Sequence, residues 1–450
     1  MVRNSRVVMQ KIDTWKEQIS FYRFFNNPKV KEETLADCVI EHCVESCEGL
    51  EEVLLIEDTT ELNLTNHQNR LSDRKGLGIL GNQFERVGFF CHPTLAVNPQ
   101  DLSLMGALDI DLFTRDPDAE RISERKKKFE DKESYRWAER AIQAKERLRG
   151  NQRAIAVQDR EGDIYESFCV LMKNGVDFVI RSNHDRQIQR EKGEKERLRG
   201  HLEATSPEYA FEMAVTGNNK SRKKRTAQLS VQFERVFLKK PLGIPGKTRG
   251  KYPVVLPVSV VRVKEKPETV PPDEEPANLR FDEWLLYSSR PVETVEQALG
   301  VVEYYKARWI IEDLFRTVKK EGVNYEETEL ETGTALRKLF VLAFYAAMIL
   351  LQLRQARNGT TRQKLSLVFS EEQVTCLEDI LPRFEGKTEK LKNPYPKDNL
   401  AWAAWIIARL GGWKGYSSQR PPGVITLHDG WLRFHLLYEG WAIAKDVYKR

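Results

Sequence analysis

Val53 to Ile56 is a continuous apolar run that stops at Glu57-Asp58-Thr59-Thr60. That is the pattern of a buried strand delivering polar residues at its tip. Ala154 to Val157 repeats it and ends in Gln158-Asp159-Arg160-Glu161, followed by a helix-like stretch, Ile164 to Lys173, and a strand candidate, Val176 to Arg181. Strand, acidic tip, helix, strand predicts an α/β fold. Further along, Tyr252 to Val263 and Trp284 to Tyr287 read as strands, and the proline-rich stretch Lys266 to Pro276 between them reads as a loop. Helices are expected up to about Gly49, as one long charged and exposed element over residues 121–153, and as a single helix from Val295 to Lys320. Leu336 to Leu353 reads as a buried apolar helix and the aromatic tail, Leu400 to Arg450, as helical.

The chain has 450 residues, 40% hydrophobic and 31% charged, enough for a large core and two or three domains. Its net charge of +5 is too weak to announce a nucleic-acid partner, but the charge is unevenly spread. Residues 121–153 carry a net +6 and Asn183 to Lys251 a net +9, the latter including Lys220-Ser221-Arg222-Lys223-Lys224-Arg225, so the remainder is acidic. A basic stripe can follow a phosphate backbone, although either segment alone would also suit a solvated loop. Six cysteines, three of them (Cys38, Cys43 and Cys47) within ten positions and the rest scattered, make no disulfide framework and suit a reducing, cytoplasmic setting. The uncharged apolar run Leu339 to Leu353 falls short of a membrane span, and no export signal is visible.

Other motifs carry little. Cys38, His42, Cys43 and Cys47 hint at zinc, but five residues from 38 to 43 turn the first cysteine away from the other two on a helix. The hexamer Lys-Glu-Arg-Leu-Arg-Gly at 145–150 returns at 195–200 with unmatched flanks, so it is no repeat. No P-loop or dinucleotide fingerprint is present, and no nucleotide cofactor is implied.

The helix around Glu312 is the most informative part. At about 100° per residue, Tyr305, Arg308, Glu312, Arg316 and Lys319 share an arc of roughly 80°, with Ile310, Ile311, Leu314 and Val318 behind. Alone, such a face could be an exposed, salt-bridged surface, and Asp58 and Asp159 could each be turn or cap residues. Together, two carboxylates at strand tips and one on a helix make an all-oxygen set suited to Mg²⁺, which takes oxygen ligands at about 2.1 Å. Two such ions about 4 Å apart can activate the attacking oxygen and stabilise the leaving one in phosphoryl transfer.

In Ile56-Glu57-Asp58-Thr59-Thr60, Asp159-Arg160-Glu161-Gly162-Asp163-Ile164 and Tyr305-(2)-Arg308-(3)-Glu312-(6)-Lys319, the chain resembles the bacterial DDE transposases of the transposon-five type, whose YREK signature is the last spacing. The similarity runs from Phe21-Tyr22-Arg23-Phe24-Phe25-Asn26-Asn27-Pro28 through Leu410-Gly411-Gly412 to Glu439-Gly440-Trp441. It implies a ribonuclease-H-like α/β catalytic core over 51–182 and 284–370, interrupted by a β-rich basic insertion at 183–283. A helical region at 1–50 and a helical dimerisation region at 371–450 would flank it. By the same resemblance, Asp58, Asp159 and Glu312 would bind two Mg²⁺ ions, with Mn²⁺ able to substitute, and a homodimer would bridge two double-stranded DNA ends. The implied chemistry is end nicking, hairpin formation, hairpin opening and strand transfer. Tyr305, Arg308 and Lys319 match phosphate-contacting positions, Arg316 and Arg181 are expected to join them, and Trp284 matches the position that stacks on a flipped base. Read without the family, Trp284 would be a core residue. Relative to the family the chain starts late, so most of the N-terminal end-recognition region is expected to be missing. A truncated, non-catalytic inhibitor acting through mixed dimers and a structure-selective nuclease stand as alternatives.

Overall fold

The computed structural model describes residues 15–81, 86–115, 127–189, 195–215, 225–265, 283–416 and 419–448. Two helices, α1 (Trp15–Asn26) and α2 (Glu32–Ser46), lead into strand β1 (Glu52–Glu57). Then come β2 (Thr60–Asn63), β3 (Gly78–Ile79), β4 (Val87–Val97), β5 (Leu104–Phe113), α3 (Arg136–Arg147), β6 (Arg153–Gln158), α4 (Tyr165–Lys173) and β7 (Asp177–Arg181). A strand-rich stretch follows: β8 (Gln187–Gln189), β9 (Lys195–Arg197), α5 (Leu198–Thr205), β10 (Tyr209–Val215), β11 (Arg225–Lys239), α6 (Gly246–Arg249) and β12 (Val255–Glu265). The chain returns through β13 (Trp284–Ser288), α7 (Val295–Ala307), α8 (Trp309–Lys319) and α9 (Gly333–Ala356), and closes with α10 (Glu371–Ile380), α11 (Leu400–Leu410) and α12 (Val424–Tyr448).

Among the described residues, thirteen strands join one mixed sheet flanked by helices. At its centre β1 runs parallel to β6, and β6 parallel to β7, as short apolar strands covered on both faces require. On the other side of β1 lies β4, antiparallel, with β5 beyond it. Past β7 the sheet continues antiparallel through β13, β12 and β11, so the stretch between the second acidic tip and Glu312 extends the central sheet. The core helix α9 lies beneath with most of its length buried, Leu339, Phe340, Phe344 and Leu351 among its packed residues. A second apolar cluster joins the end of α9 to α10, α11 and α12 around Phe369, Trp405, Trp431 and Phe434.

Several expectations need correction. The long exposed helix expected over 121–153 is shorter: within the described part, two 3₁₀ turns precede α3, whose Trp137, Ala138, Ala141 and Ala144 are buried. Residues 121–126 and the basic positions 220–224 lie outside the described residues. The helix expected from Val295 to Lys320 breaks at Arg308, where tight three-residue bonds, Arg308 N to Tyr305 O and Ile311 N to Arg308 O, separate α7 from α8. At 24 residues, α9 is long and apolar enough to cross a membrane, unlike the run read from sequence, but 72% of its most apolar window is buried inside the fold. The repeated hexamer ends helix α3 at its first copy and spans strand β9 and the start of α5 at its second. Neighbouring structure, not the local sequence, decides its conformation.

Candidate active site

The parallel register sets the two acidic tips side by side. Ile56 pairs with Val157, so two residues further Asp58 and Asp159 leave the ends of adjacent strands together. Asp159 caps the 3₁₀ turn Arg160–Gly162, its Oδ1 accepting from Glu161 N at 2.8 Å. Asp58 Oδ1 accepts from Thr59 N at 2.8 Å. Local capping therefore accounts for one oxygen of each carboxylate, in line with the turn-residue reading, and the other oxygens carry the remaining chemistry.

Glu312 joins this pair through a cation. Arg308 donates from Nη1 to Asp58 Oδ2 at 2.9 Å and from Nη2 to Glu312 Oε1 at 2.5 Å, four residues on. The break between α7 and α8 thus puts a guanidinium between two carboxylates from distant parts of the chain. Burial, opposed by Arg308 and reinforced by Asp159 and Glu312, pushes the Asp58 carboxyl up to about 7. Burial also works against the charge of Arg308, but Tyr305, Asp58 and Glu312 outweigh it and hold the guanidinium protonated. Glu161, beside Asp159, is likewise raised by burial and then by the Asp159 and Glu133 charges. The tips therefore gather carboxylates from β1, β6 and α8 around Arg308.

The remaining predicted residues spread around this centre. Tyr305 is buried near Arg181 and set edge-on against Trp284 with ring centroids 5.1 Å apart. Trp284 is 7% exposed, so its indole is part of the core in this conformation. Arg316 is exposed and pairs with Asp313 at 3.1 Å, not with the central carboxylates. Lys319 lies further along α8, where burial lowers its ammonium against the nearby Glu326 and Glu61. Of the nine predicted residues, the fold brings Asp58, Arg308 and Glu312 into direct contact, with Asp159 in register, Tyr305, Arg181 and Trp284 as an adjoining group, and Arg316 and Lys319 outside. Cys43 and Cys47 are buried near each other, while Cys38 is exposed and His42 is engaged by Leu367 O at 2.8 Å.

Sequence reasoning did not find a cleft of about 430 Å³ beside the tips, lined by Thr59, Glu61, Arg115, Arg136, Trp137 and Glu161 among others. Its walls come from the β1–β2 junction, from β2 and β4, from the residues just after β5 and from the start of α3. Asp58 followed by Thr59 was the visible signal; the arginines are recognisable only once the strands are paired.

Residues 169–349 match a family model described as the transposase DDE domain. The match supports a DDE transposase. It takes in Arg181, Trp284, Tyr305, Arg308, Glu312, Arg316 and Lys319, while Asp58 and Asp159 precede it. Enzymes of this family use divalent metal ions. The donor set fits in kind, since Asp58, Asp159 and Glu312 offer only carboxylate oxygens, the chemistry hard divalent cations take. Burial first, and then the charges of Asp159 and Glu312, disfavour a lone negative charge at Asp58. Among the described residues, however, no three acidic, His or Cys side chains converge closely enough to cage an ion, and the cation shared by Asp58 and Glu312 is Arg308.

Proposed function

We propose that this chain is a cut-and-paste DNA transposase of the transposon-five type with a ribonuclease-H-like core, and that Asp58, Asp159 and Glu312 are its catalytic carboxylates. The observation that carries the reading is the meeting of Asp58 with Glu312 through Arg308, beside Asp159 in register on the neighbouring strand. The three carboxylates would hold Mg²⁺, or Mn²⁺ in its place, and the bound metal would supply activation of the attacking oxygen and charge stabilisation at phosphorus.

The chain's own residues orient the DNA. Arg308, released from Asp58 and Glu312 when other positive charge neutralises them, can place its planar fork on a phosphate. Tyr305 and the nearby Arg181 form a second phosphate-contacting pair, and Trp284 beside Tyr305 offers an indole to a displaced base once the Tyr305 contact opens. The same centre would serve nicking, hairpin formation, hairpin opening and strand transfer, with the 371–450 region forming the dimer that holds two DNA ends.

The test is cleavage with Mg²⁺ or Mn²⁺ of DNA carrying the element's own end sequence, comparing the wild type with Asp159→Ala and Glu312→Ala. Hairpin-ended products that disappear in both variants are expected. Cleavage without hairpins would favour a nuclease, and cleavage that survives either substitution would remove these carboxylates from the chemistry.

A further inference from the structure

Behind the strand tips, on the face opposite Asp58 and Asp159, lies a polar network sealed from solvent. Glu57 and Gln158 immediately precede the two aspartates, and side chains alternate along strands, so this pair points away from the carboxylates on the same two strands. Gln158 Nε2 donates to Glu57 Oε2 at 2.6 Å and to Trp137 O at 2.9 Å. Thr94 of β4 donates from Oγ1 to Glu57 Oε1 at 3.2 Å. His92, two residues earlier on β4, brings Nε2 to 3.6 Å from Glu57 Oε1 and Nδ1 to 2.8 Å from Thr59 Oγ1. Thr59 in turn donates its backbone N–H to Asp58 Oδ1. Glu57, His92, Thr94 and Gln158 are all fully buried.

A path of contacts thus runs from the residue before Asp159, across the sheet, to the residue after Asp58. Whichever ring nitrogen of His92 carries the proton, one nitrogen engages Thr59 and the other faces Glu57. The turn that bears Asp159 is fitted to the same path: a Cβ at Gly162 would meet Gln158 Oε1 at 2.4 Å. The hydrogen bonds at Glu57 and at Thr59 hold these side chains in place, while His92 Nε2 at 3.6 Å and Gln158 Oε1 make no hydrogen bond among the described residues, so the His92–Glu57 link is one of proximity in a buried site.

We propose that His92 is a positioning residue that, through the Thr59 hydroxyl on one side and Glu57 with Gln158 on the other, fixes the Asp58 carboxylate relative to Asp159. This rests on the transposase reading of those carboxylates. His92 touches neither DNA nor the reacting atoms, and its influence reaches Asp58 through Thr59. Groups that orient metal-binding carboxylates typically change metal affinity 10–100-fold when removed.

The experiment measures Mn²⁺ binding to the full chain without DNA, by the loss of the free-ion electron paramagnetic resonance signal, together with hairpin formation. The proteins are the wild type, Thr59→Val, Thr59→Ser, His92→Leu, the Thr59→Val/His92→Leu double variant, and Asp58→Asn as the control that removes a carboxylate. Thr59→Val and His92→Leu are each expected to weaken Mn²⁺ binding about tenfold, the double variant no further, and Thr59→Ser to restore it. Wild-type Mn²⁺ affinity in Thr59→Val, with Asp58→Asn impaired, overturns the positioning role, as does a Thr59→Ser loss equal to that of Thr59→Val. Should His92→Leu not fold, the half-exposed and nearly isosteric Thr59→Val decides alone against Thr59→Ser. A wild type that neither binds Mn²⁺ nor cleaves DNA fails the transposase reading itself, and the positioning role falls with it.

Discussion

The parallel centre of the sheet and its antiparallel extension are built from different economies of burial. After their first residues β1 and β6 are buried throughout, and polar groups come only at the tips. Strand β11 in the extension is buried continuously only from Leu229 to Gln232, and elsewhere exposes Thr226, Arg235 and Phe237. Buried polarity in the extension includes Gln232 on β11, which donates to Leu202 O and Ser206 O, and the ion pairs of Arg262 on β12 with Glu283 and Glu203. The central strands can hold a carboxylate rigidly because nothing in their flanks can relax. The extension, with one face open, can vary without moving the tips.

The comparison breaks most sharply at the tips themselves. Asp159→Ala should abolish DNA cleavage while leaving the unfolding midpoint within a few degrees, because its structural role is a cap to Glu161 N. Next in size, Leu54→Ala on β1, where the side chain is fully enclosed, should cost about 2–5 kcal/mol in denaturant unfolding. In the extension, Arg262→Ala should cost about 2 kcal/mol, below the ~3–5 of a fully enclosed pair because Glu203 and Glu283 reach solvent. A cost above that of Leu54→Ala would reverse the ranking of the two regions.

A pH series sharpens the same contrast. Burial lowers the His92 imidazole to about 3, so between the ordinary histidine range and pH 3 only the unfolded chain takes up that proton. The His92 contribution to stability should therefore be lost as the pH falls below about 6.5, by up to about 1.4 kcal/mol per pH unit, against the opposite contribution of the neighbouring Glu57, whose carboxyl burial raises to about 8. Comparing acid unfolding of the wild type with His92→Leu isolates the contribution, and equal slopes would refute it. The smallest effect is expected at Phe237→Ala, within about 0.5 kcal/mol, since the ring is 48% exposed on the open face.

What could be read from the sequence followed the burial pattern. The strands β1, β6, β7, β12 and β13 were legible because apolar runs ended at polar tips, and the acidic tips followed from them. Strands β4 and β5 were not legible. Strand β4 carries Gly88, His92 and Pro93, and an internal proline argues against a central strand. The fold accommodates Pro93 beside the interval between β1 and β2: Thr94 pairs with Glu57 and Cys91 with Thr60, leaving Asp58 and Thr59 unladdered next to it. The interruption that frees Asp58 thus matches a position with no N–H to donate. Helical geometry placed Arg308 and Glu312 on one face, but the break at Arg308 and its reach to Asp58 depend on a contact 250 positions away in sequence. Arg316 and Lys319 share that face yet find other partners, since an angular arc says nothing of how far along the axis the site extends.

Strand β7 has its inner edge on β6, but its outer edge is taken by β13, and Phe178 N donates to Ser289 Oγ, 111 positions further on. A chain emerging from the ribosome can assemble β1, β4, β6 and β7 well before β13 exists. Over that interval β7 presents an unpaired, apolar edge, the kind that recruits strands from other chains. Closure of the sheet is therefore delayed until about Ser288 has been synthesised, and Glu312 comes later still. By this order of synthesis, a nascent chain has its two aspartates aligned before it can possess the third carboxylate.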